Sequence, residues 1–365
     1  MAAVRIAVIG AGTIGRTHIA VLRSGYPDFT LAAVADPSPA AAGEALQLAY
    51  PVFSAYEEML DRVRPDGAIV AVPNRMHLAA GLACVSRGIP ILIEKPIADD
   101  VASALELVET AERAGVPTLV GHHRRHNPIM RKAAEIVAGG GIGRVVAANA
   151  LWLSHKPKPY FDVAWRTEPG GGPVLINAIH DIDCLRMLCG DVESVAAATG
   201  NAIRSFAVED TAAAVLQFKS GALGTLLVSD TVSAPWSWEW GSRENPDRPN
   251  EPESCYLIAG TRGSLSVPTL QHRWHAPGEE SWNAALLQKR VPFRPADAYH
   301  EQMRNFSCVI RGTESPVLSG RDGAATLATT LAITESARTG RPVRVDAMLQ
   351  ASAAPRSGTG GDARE

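Results

Sequence analysis

The chain has 365 residues, of which 46% are hydrophobic and 20% are charged. This length exceeds one ordinary hydrophobic core and predicts two domains, with a composition typical of globular proteins in water. A formal net charge of -3 argues against a nucleic-acid partner or an acidic membrane surface, because neither attracts a mildly acidic protein.

The N-terminus enters a strand pattern at once and lacks the charged, apolar and cleavage regions of a signal peptide. No apolar run reaches the roughly 20 residues that cross a bilayer. We therefore expect a cytoplasmic protein with no membrane partner.

Residues 1–123 alternate short apolar runs with segments that place apolar residues three and four positions apart. Apolar strands separated by helices are typical of a parallel sheet covered on both faces, so we predict a doubly wound α/β domain. The predicted strands are 4–9, 30–35, 67–72, 90–93 and 118–120, and the predicted helices are 17–23, 77–87 and 101–114.

Residues 124–349 show longer β-like segments with looser alternation, which predicts an α+β domain with a mainly antiparallel sheet. The predicted strands are 144–153, 192–202, 210–218 and 222–232, and the predicted helices are 128–138, 177–188, 298–310 and 320–337. Residues 235–253 predict a long loop that rims a functional site or reaches a neighbouring subunit. The tail 350–365, rich in Ala, Ser, Gly and Arg, is predicted to be disordered.

A glycine-rich turn follows the first predicted strand and precedes a helical pattern. It reads Gly10-Ala11-Gly12-Thr13-Ile14-Gly15 and fits GxGxxG. Gly10 permits the tight turn, Gly12 lets the backbone approach a pyrophosphate, and Gly15 lets the helix pack on the sheet. The helix N-terminus at Thr13 and Ile14 then presents free N–H groups to the phosphate charge. The turn predicts a dinucleotide-binding site.

Asp36, at the end of the second predicted strand, indicates which dinucleotide binds. Its carboxylate suits the two hydroxyls of the adenosine ribose and repels a 2′-phosphate. The following residues, Pro-Ser-Pro, bring no arginine that would attract that phosphate. We therefore expect NAD rather than NADP.

Further polar clusters follow the carboxyl ends of predicted strands, where α/β sheets bind their ligands. They are Pro73-Asn74 with His77, Glu94-Lys95-Pro96, and Gly121-His122-His123-Arg124-Arg125; a fourth, in the second domain, is Trp165-Arg166 followed by Gly170-Gly171-Gly172 and His180-Asp181-Ile182-Asp183. We expect Pro73, Asn74, His77, Glu94 and Lys95 to contribute to the cofactor site.

With this set of motifs, the chain resembles the glucose–fructose oxidoreductase / inositol dehydrogenase / rhizopine catabolism (Gfo/Idh/MocA) family over about residues 4–344. The resemblance implies a Rossmann domain joined to a domain with a large open sheet, which often forms homodimer or homotetramer contacts. It implies NAD-dependent hydride transfer to or from a hydroxyl or carbonyl group of a sugar, sugar acid or cyclitol.

The resemblance also implies that Lys95 and His180 flank the reacting carbon. Oxidation of an alcohol releases a proton as well as a hydride, and a histidine accepts a proton near neutral pH. Lys95, partly desolvated beside a positive nicotinamide, is expected to have a lowered pKa and to hydrogen-bond the same oxygen. The Lys95–Pro96 peptide is a candidate for the cis form.

The chain departs from many relatives four residues before His180, where Ile176 replaces the usual Asp or Asn. Asn177 is adjacent but lies about 100° around a helix, so it is not a simple substitute, although it remains a candidate substrate ligand. Asp183, three residues after His180, lies on the helix face from which it could orient the imidazole as a catalytic residue. A purely structural role for this carboxylate is an equal alternative.

The remaining candidates are substrate ligands rather than metal ligands. His122 or His123 is expected to line the cleft, and Arg124 to bind substrate or to brace the domain junction. Trp165 offers a flat face to a sugar ring, with Arg166 beside it, although a core or interface role suits Trp165 equally. The five scattered cysteines and the carboxylate-free run 122–126 predict no metal site.

Three other functions stay open alongside the sugar or cyclitol dehydrogenase. They are a glycosidase that uses NAD transiently, a dehydrogenase of an aldehyde or hemiacetal, and a non-catalytic NAD-binding regulator. The intact Lys95 and His180 argue against the regulator.

Overall fold

The computed structural model describes residues 2–38, 40, 50–246 and 248–353. Its N-terminal part contains a six-stranded parallel sheet in the order β3-β2-β1-β4-β5-β6. The strands are β1 Val4–Ile9, β2 Phe29–Ala35, β3 Val52–Phe53, β4 Gly67–Val70, β5 Ile91–Ile93 and β6 Thr118–Val120. The strand order reverses between β1 and β4, and such sheets bind ligands at the carboxyl ends of the strands at that point.

The central strand β1 explains why this sheet is covered on both faces. Ala7 and Ile9 belong to one buried apolar cluster, whereas Ile6 and Val8, which alternate with them, belong to another. Successive side chains of a strand point to opposite faces, so both faces of the sheet are buried. The helices between these strands are α1 Thr13–Leu22, α2 Tyr56–Val63, α3 His77–Val85 and α4 Val101–Arg113.

The second sheet has nine strands in the order β14-β13-β12-β11-β7-β10-β9-β8-β15, and all pairs are antiparallel except β7 with β10. The strands are β7 Val145–Leu153, β8 Val192–Gly200, β9 Thr211–Phe218, β10 Leu223–Ser229, β11 Tyr256–Gly260, β12 Gly263–Val267, β13 Gln271–Trp274, β14 Leu287–Arg290 and β15 Val343–Arg344. This confirms the predicted α+β part with a mainly antiparallel sheet.

The helices of this part are α5 Pro128–Ala138, α6 Ile179–Cys189, α7 Trp238–Gly241, α8 Ala298–Ile310, α9 Gly320–Thr339 and α10 Val345–Ala353. Helix α8 returns to the first sheet, since its Met303, Phe306 and Val309 share the apolar cluster of β1. The division between residues 123 and 124 therefore stays a prediction. The prediction of disorder is wrong for 350–353, which are helical, and 354–365 lie outside the described residues.

Within the described residues, no helix is both long and apolar enough to span a membrane. The five cysteines are unpaired thiols; Cys308 is partly exposed and the other four are buried.

Candidate active site

The three glycines of the turn after β1 have different surroundings. Gly10 adopts a φ of +100°, which an L side chain rarely tolerates. A Cβ on Gly15 would lie 2.0 Å from the carbonyl oxygen of Gly10, so the helix needs glycine to approach the strand. A Cβ on Gly12 would meet no described neighbour within 4 Å, so the space above Gly12 is open to a ligand.

Asp36 follows β2 and is tied to the glycine turn. Its carboxylate accepts hydrogen bonds from the backbone N–H groups of Ala11 at 2.7 Å and Ser38 at 2.8 Å. Burial alone would raise the pKa of Asp36, but a hydrogen bond from the Ser38 side chain, these backbone hydrogen bonds and the charge of Arg16 together lower it. The carboxylate is therefore ionised at neutral pH, at the strand end where a ribose would bind.

A groove of about 1170 Å³ runs along the carboxyl ends of the strands. Nine of the predicted site residues line it: Gly10, Gly12, Thr13, Ile14, Asp36, Pro73, Asn74, Lys95 and Trp165. A smaller cavity of about 280 Å³ is lined by Ile14 and Asn74 together with His77, Glu94, Lys95, His123 and His180. The geometry thus brings together residues that are far apart in sequence.

His77 and Glu94 shape the floor of this smaller cavity. The ring nitrogens of His77 lie 2.8 Å from the carbonyl oxygen of Pro96 and 2.9 Å from that of Val72, so His77 joins two loops. Glu94 forms a 2.8 Å hydrogen bond with the ring of buried His18 and accepts another from the backbone N–H of Lys95. Glu94 therefore holds the Lys95 backbone rather than its ammonium group.

The side chain of Lys95 crosses from the first sheet to the second part of the chain. Its Nζ donates a hydrogen bond to the carbonyl oxygen of Ile176 at 3.2 Å, and the Lys95–Pro96 peptide is cis, as predicted. Burial lowers the pKa of Lys95; the charge of Glu94 opposes this shift without cancelling it, whereas that of Arg124 adds to it.

Residues Val174–Ala178, just before α6, form a π-helical turn. Asn177 lies three residues before His180, a spacing at which two side chains are neighbours on a helical surface. Ile176, Asn177 and His180 all line the same cavity of about 650 Å³. In the described chain, Oδ1 of Asn177 is buried without a hydrogen-bond partner.

His180 lies within a histidine cluster. Its ring makes edge contacts with His122 and His123, at centroid distances of 5.8 and 5.4 Å. Burial lowers the pKa of His180 well below its usual range, and the positive charges of Lys95 and Arg124 lower it further. The imidazole is therefore neutral at physiological pH, which is the form that accepts a proton.

Asp183 does not orient His180. Its carboxylate accepts two hydrogen bonds of 2.9 Å from Arg125 and one of 3.1 Å from Thr326, deep in the core. Burial would raise the pKa of Asp183, but the charges around it, including Arg125, lower it. The geometry supports the alternative of a structural carboxylate and not the catalytic assignment.

Arg124 is also occupied by protein groups rather than facing a substrate. Its guanidinium donates to Asp181 at 2.8 Å, to Glu239 at 2.8 Å and to the hydroxyl of Tyr256 at 3.0 Å, and the residue is only 3% exposed. The structure therefore supports a bracing role for Arg124 and not the assignment as a substrate ligand.

The long loop 235–253 rims the cleft of its own chain. Glu244 accepts a 3.1 Å hydrogen bond from His123 and another, of 2.9 Å, from the indole of Trp238. Asn245 and Arg248 of this loop line the groove. The sequence indicated the loop but not its place, because its contact with the cleft comes from His123, 121 positions away.

Trp165 and Arg166 have different places at the cleft. Trp165 is 49% exposed and lines the groove beside Lys95. Arg166 stacks its guanidinium on the ring of Tyr160 at 4.1 Å and donates to the Tyr160 carbonyl, so it supports a wall residue. Within the described residues, no group of three or more His, Cys, Asp or Glu side chains could hold a metal ion.

Several cleft residues were missed from the sequence. Lys156 and Tyr160 follow β7, Trp240 and Arg248 lie in the loop 235–253, and Tyr299 is the second residue of α8. A polar segment directly after a strand, as at 154–160, is the signal that could have revealed the first two.

Comparisons with known proteins agree with this architecture. A model of the oxidoreductase family with an NAD-binding Rossmann fold matches residues 4–122, and a model of the GFO/IDH/MocA C-terminal domain matches residues 130–266. An oxidoreductase from Agrobacterium radiobacter, crystallised with NAD+, L-tartaric acid and magnesium, shares the fold at a TM-score of 0.79 and 19% identity, covering 95% of this chain and 99% of its own.

Two proteins with similar sequences are named as enzymes. The 1,5-anhydro-D-fructose reductase of Ensifer adhaerens is 28% identical over 352 residues, which is 94% of this chain and 99% of the relative. The scyllo-inositol 2-dehydrogenase (NAD+) of Bacillus subtilis is 25% identical over 350 residues, covering 94% and 96%. With its NAD-binding domain, its C-terminal domain and their motifs all matched, the chain belongs to the Gfo/Idh/MocA oxidoreductase family.

Proposed function

We propose that this protein is an NAD-dependent dehydrogenase that transfers hydride between the nicotinamide and a hydroxyl or carbonyl carbon of a sugar, sugar acid or cyclitol. The single observation that carries the proposal is the convergence of Lys95 and His180 on one cavity that opens into the dinucleotide groove. The relatives, named as reductases and dehydrogenases of sugars and cyclitols, support the same class of reaction.

The residues present fit a dinucleotide. The open space above Gly12 admits a pyrophosphate against backbone N–H groups at the N-terminus of α1. Asp36 offers an ionised carboxylate to the ribose, and Asn74 and His123 line the end of the cleft that suits the nicotinamide. Bound there, NAD would supply the hydride acceptor or donor.

The protein's own residues supply the proton chemistry. Neutral His180 accepts the proton of the substrate hydroxyl as that oxygen becomes a carbonyl, and it returns the proton in the reverse reaction. An N–H of Lys95 donates a hydrogen bond to the same oxygen, while another stays on the Ile176 carbonyl. Glu94, itself held by His18, fixes the Lys95 backbone, and Trp165 lines the groove beside this pair.

We further propose NAD over NADP and a homodimer or homotetramer. The ionised Asp36 would repel a 2′-phosphate, which supports the first point. The second is supported by the exposed face of the second sheet, where the apolar side chains of Val215 on β9, Leu223 on β10 and Leu257 on β11 are about half exposed. Apolar patches of this kind mark subunit contacts, and light scattering of the purified protein would test the assembly.

The test of the reaction is NAD reduction, followed by absorbance, across a panel of sugars, sugar acids, polyols and cyclitols. The Lys95→Ala variant is the control. NADH formation that disappears in the variant supports the proposal. If no substrate of the panel yields NADH although calorimetry shows NAD binding, the dehydrogenase proposal is contradicted and the glycosidase or the regulator is favoured. Release of a sugar from a glycoside without net NADH formation would identify the glycosidase.

A further inference from the structure

The cavity that holds His180 has an excess of positively charged side chains. Lys156 and Arg248 both line it, together with the reactive pair. The carboxylate in its wall, Glu239, is paired with Arg124 at 2.8 Å and accepts a hydrogen bond from the Trp152 indole. A neutral sugar would offer no negative charge to pair with these cations.

The side chain of Lys156 is buried but incompletely paired. The residue is 8% exposed, and in the described part of the chain its Nζ has no hydrogen-bond partner. The nearest carboxylate, Asp230, lies 3.5 Å away and is also bound by Arg204 at 2.6 Å, so it is shared between two cations. A buried ammonium with unused N–H groups is costly unless something else satisfies it.

The aromatic rings around Lys156 also leave its positive charge without a counter-ion. Its Nζ lies 4.8 Å from the centroid of the Tyr160 ring and 5.4 Å from that of Trp152. These rings hold the ammonium beside the cavity without neutralising its charge. Arg248 is exposed, lines both this cavity and the dinucleotide groove, and makes no hydrogen bond or ion pair from its guanidinium within the described residues.

From this arrangement we propose that the physiological substrate carries an anionic group, which binds between Lys156 and Arg248 while the reacting hydroxyl faces His180 and Lys95. The inference rests on the proposed function and narrows it to acidic sugar derivatives. A carboxylate and a phosphate share the required chemistry, since both accept charge-assisted hydrogen bonds from these two cations. The inference makes Lys156 and Arg248 determinants of specificity and leaves the hydride and proton steps to Lys95 and His180.

The test compares matched substrates that differ in charge: a hexose with its uronate, an alditol with its aldonate, and a sugar with its phosphate ester. The readout is the ratio of kcat/KM for the charged member to that for the neutral member. We expect a ratio of about ten or more for at least one pair, from one or two charge-assisted hydrogen bonds. The pair that shows it identifies the carboxylate or the phosphate.

The variants Lys156→Met and Arg248→Gln should each lower this ratio about tenfold, mainly through KM of the charged substrate. Lys156→Met keeps an unbranched apolar stem against the two rings, and Arg248→Gln changes an exposed position, so at least one variant will fold. Lys158→Met and Arg294→Gln are the controls, because both residues are exposed and neither lines the cavity. The controls should leave the ratio unchanged.

Proton titration provides a second readout. Burial lowers the pKa of Lys156 to about 8; Asp230 and Glu209 oppose this shift, and Arg204 adds to it. The charge preference of the wild type should therefore fall as pH rises through about 8, and should be flat in Lys156→Met. Lys95 and His180 act on both members of a pair, so their titration cancels in the ratio.

The outcomes separate the two proposals. NADH formation with neutral substrates and a ratio of one or less overturns the anionic substrate while the dehydrogenase stands. An equal loss on charged and neutral substrates in both variants also overturns it. Absence of NADH formation with every substrate overturns the dehydrogenase itself.

Discussion

The glycine turn offers the sharpest test of the cofactor site, because Gly12 and Gly15 lie three residues apart and have opposite surroundings. A methyl group on Gly12 meets no described neighbour within 4 Å, and the Gly12 φ of −68° suits alanine. A methyl group on Gly15 would lie 2.0 Å from a backbone oxygen that cannot move without the strand. One substitution should therefore affect the ligand and the other the fold.

For Gly12→Ala, we expect a small loss of stability, about 0.5–1 kcal/mol, because alanine caps a helix less well than glycine. The melting temperature should fall by no more than about 4 °C. The methyl group would occupy the path of the pyrophosphate and remove one or two charge-assisted hydrogen bonds. The dissociation constant of NAD should rise about tenfold to a hundredfold.

For Gly15→Ala, overpacking against the backbone should cost about 1–3 kcal/mol or more of folding free energy. The assay is thermal unfolding of both variants with and without NAD, together with calorimetric titration of NAD. Normal NAD binding by Gly12→Ala, or a loss of stability equal to that of Gly15→Ala, would refute the assignment of Gly12 to the pyrophosphate.

Three further predictions follow from the charged groups. Asp36→Ser should raise the ratio of NADP to NAD turnover, and an unchanged ratio would contradict the role of Asp36. Asp183→Asn should cost about 3–5 kcal/mol of stability by leaving Arg125 unpaired in the core, as thermal unfolding would show, with kcat kept in the folded fraction. Burial would raise the pKa of Glu244, but His123 and the hydrogen bonds lower it to about 2. Its stabilisation is therefore complete above about pH 4.3, the unfolded value, and is lost as pH falls towards 2, and Glu244→Gln should flatten the acid melting curve in that range.

The local patterns of the first third predicted its sheet well, because strands buried on both faces read as continuous apolar runs. Val4–Ile9 and Thr118–Val120 have the predicted bounds, and the other predicted strands of this sheet differ by at most two residues at each end. The short edge strand β3 and helix α2 were missed. In the second sheet, β11 to β15 were missed; of these, β13 and β14, at residues 271–274 and 287–290, are mostly polar or exposed and carry no apolar run.

The site was less predictable where it depends on contacts between distant segments. The motifs indicated Lys95 and His180, but the sequence left Asp183 and Arg124 open between a role at the site and a structural role, because it does not reveal their core partners. The π turn at Val174–Ala178, which carries Ile176 and Asn177 at the cavity of His180, has no signal in its residue types. The incomplete pairing of Lys156 was not predictable either, because its carboxylate partner Asp230 is 74 residues away and is shared with Arg204.

The most direct test of the account measures NAD binding and turnover on the same preparations of the wild type, Lys95→Met and His180→Asn. The account predicts NAD affinity near that of the wild type and a fall in kcat of about 10²–10⁴ for His180→Asn, the usual contribution of a positioned acid–base group. Lys95→Met should lose turnover similarly. Turnover near that of the wild type in either variant would contradict the claim that these two side chains flank the reacting carbon.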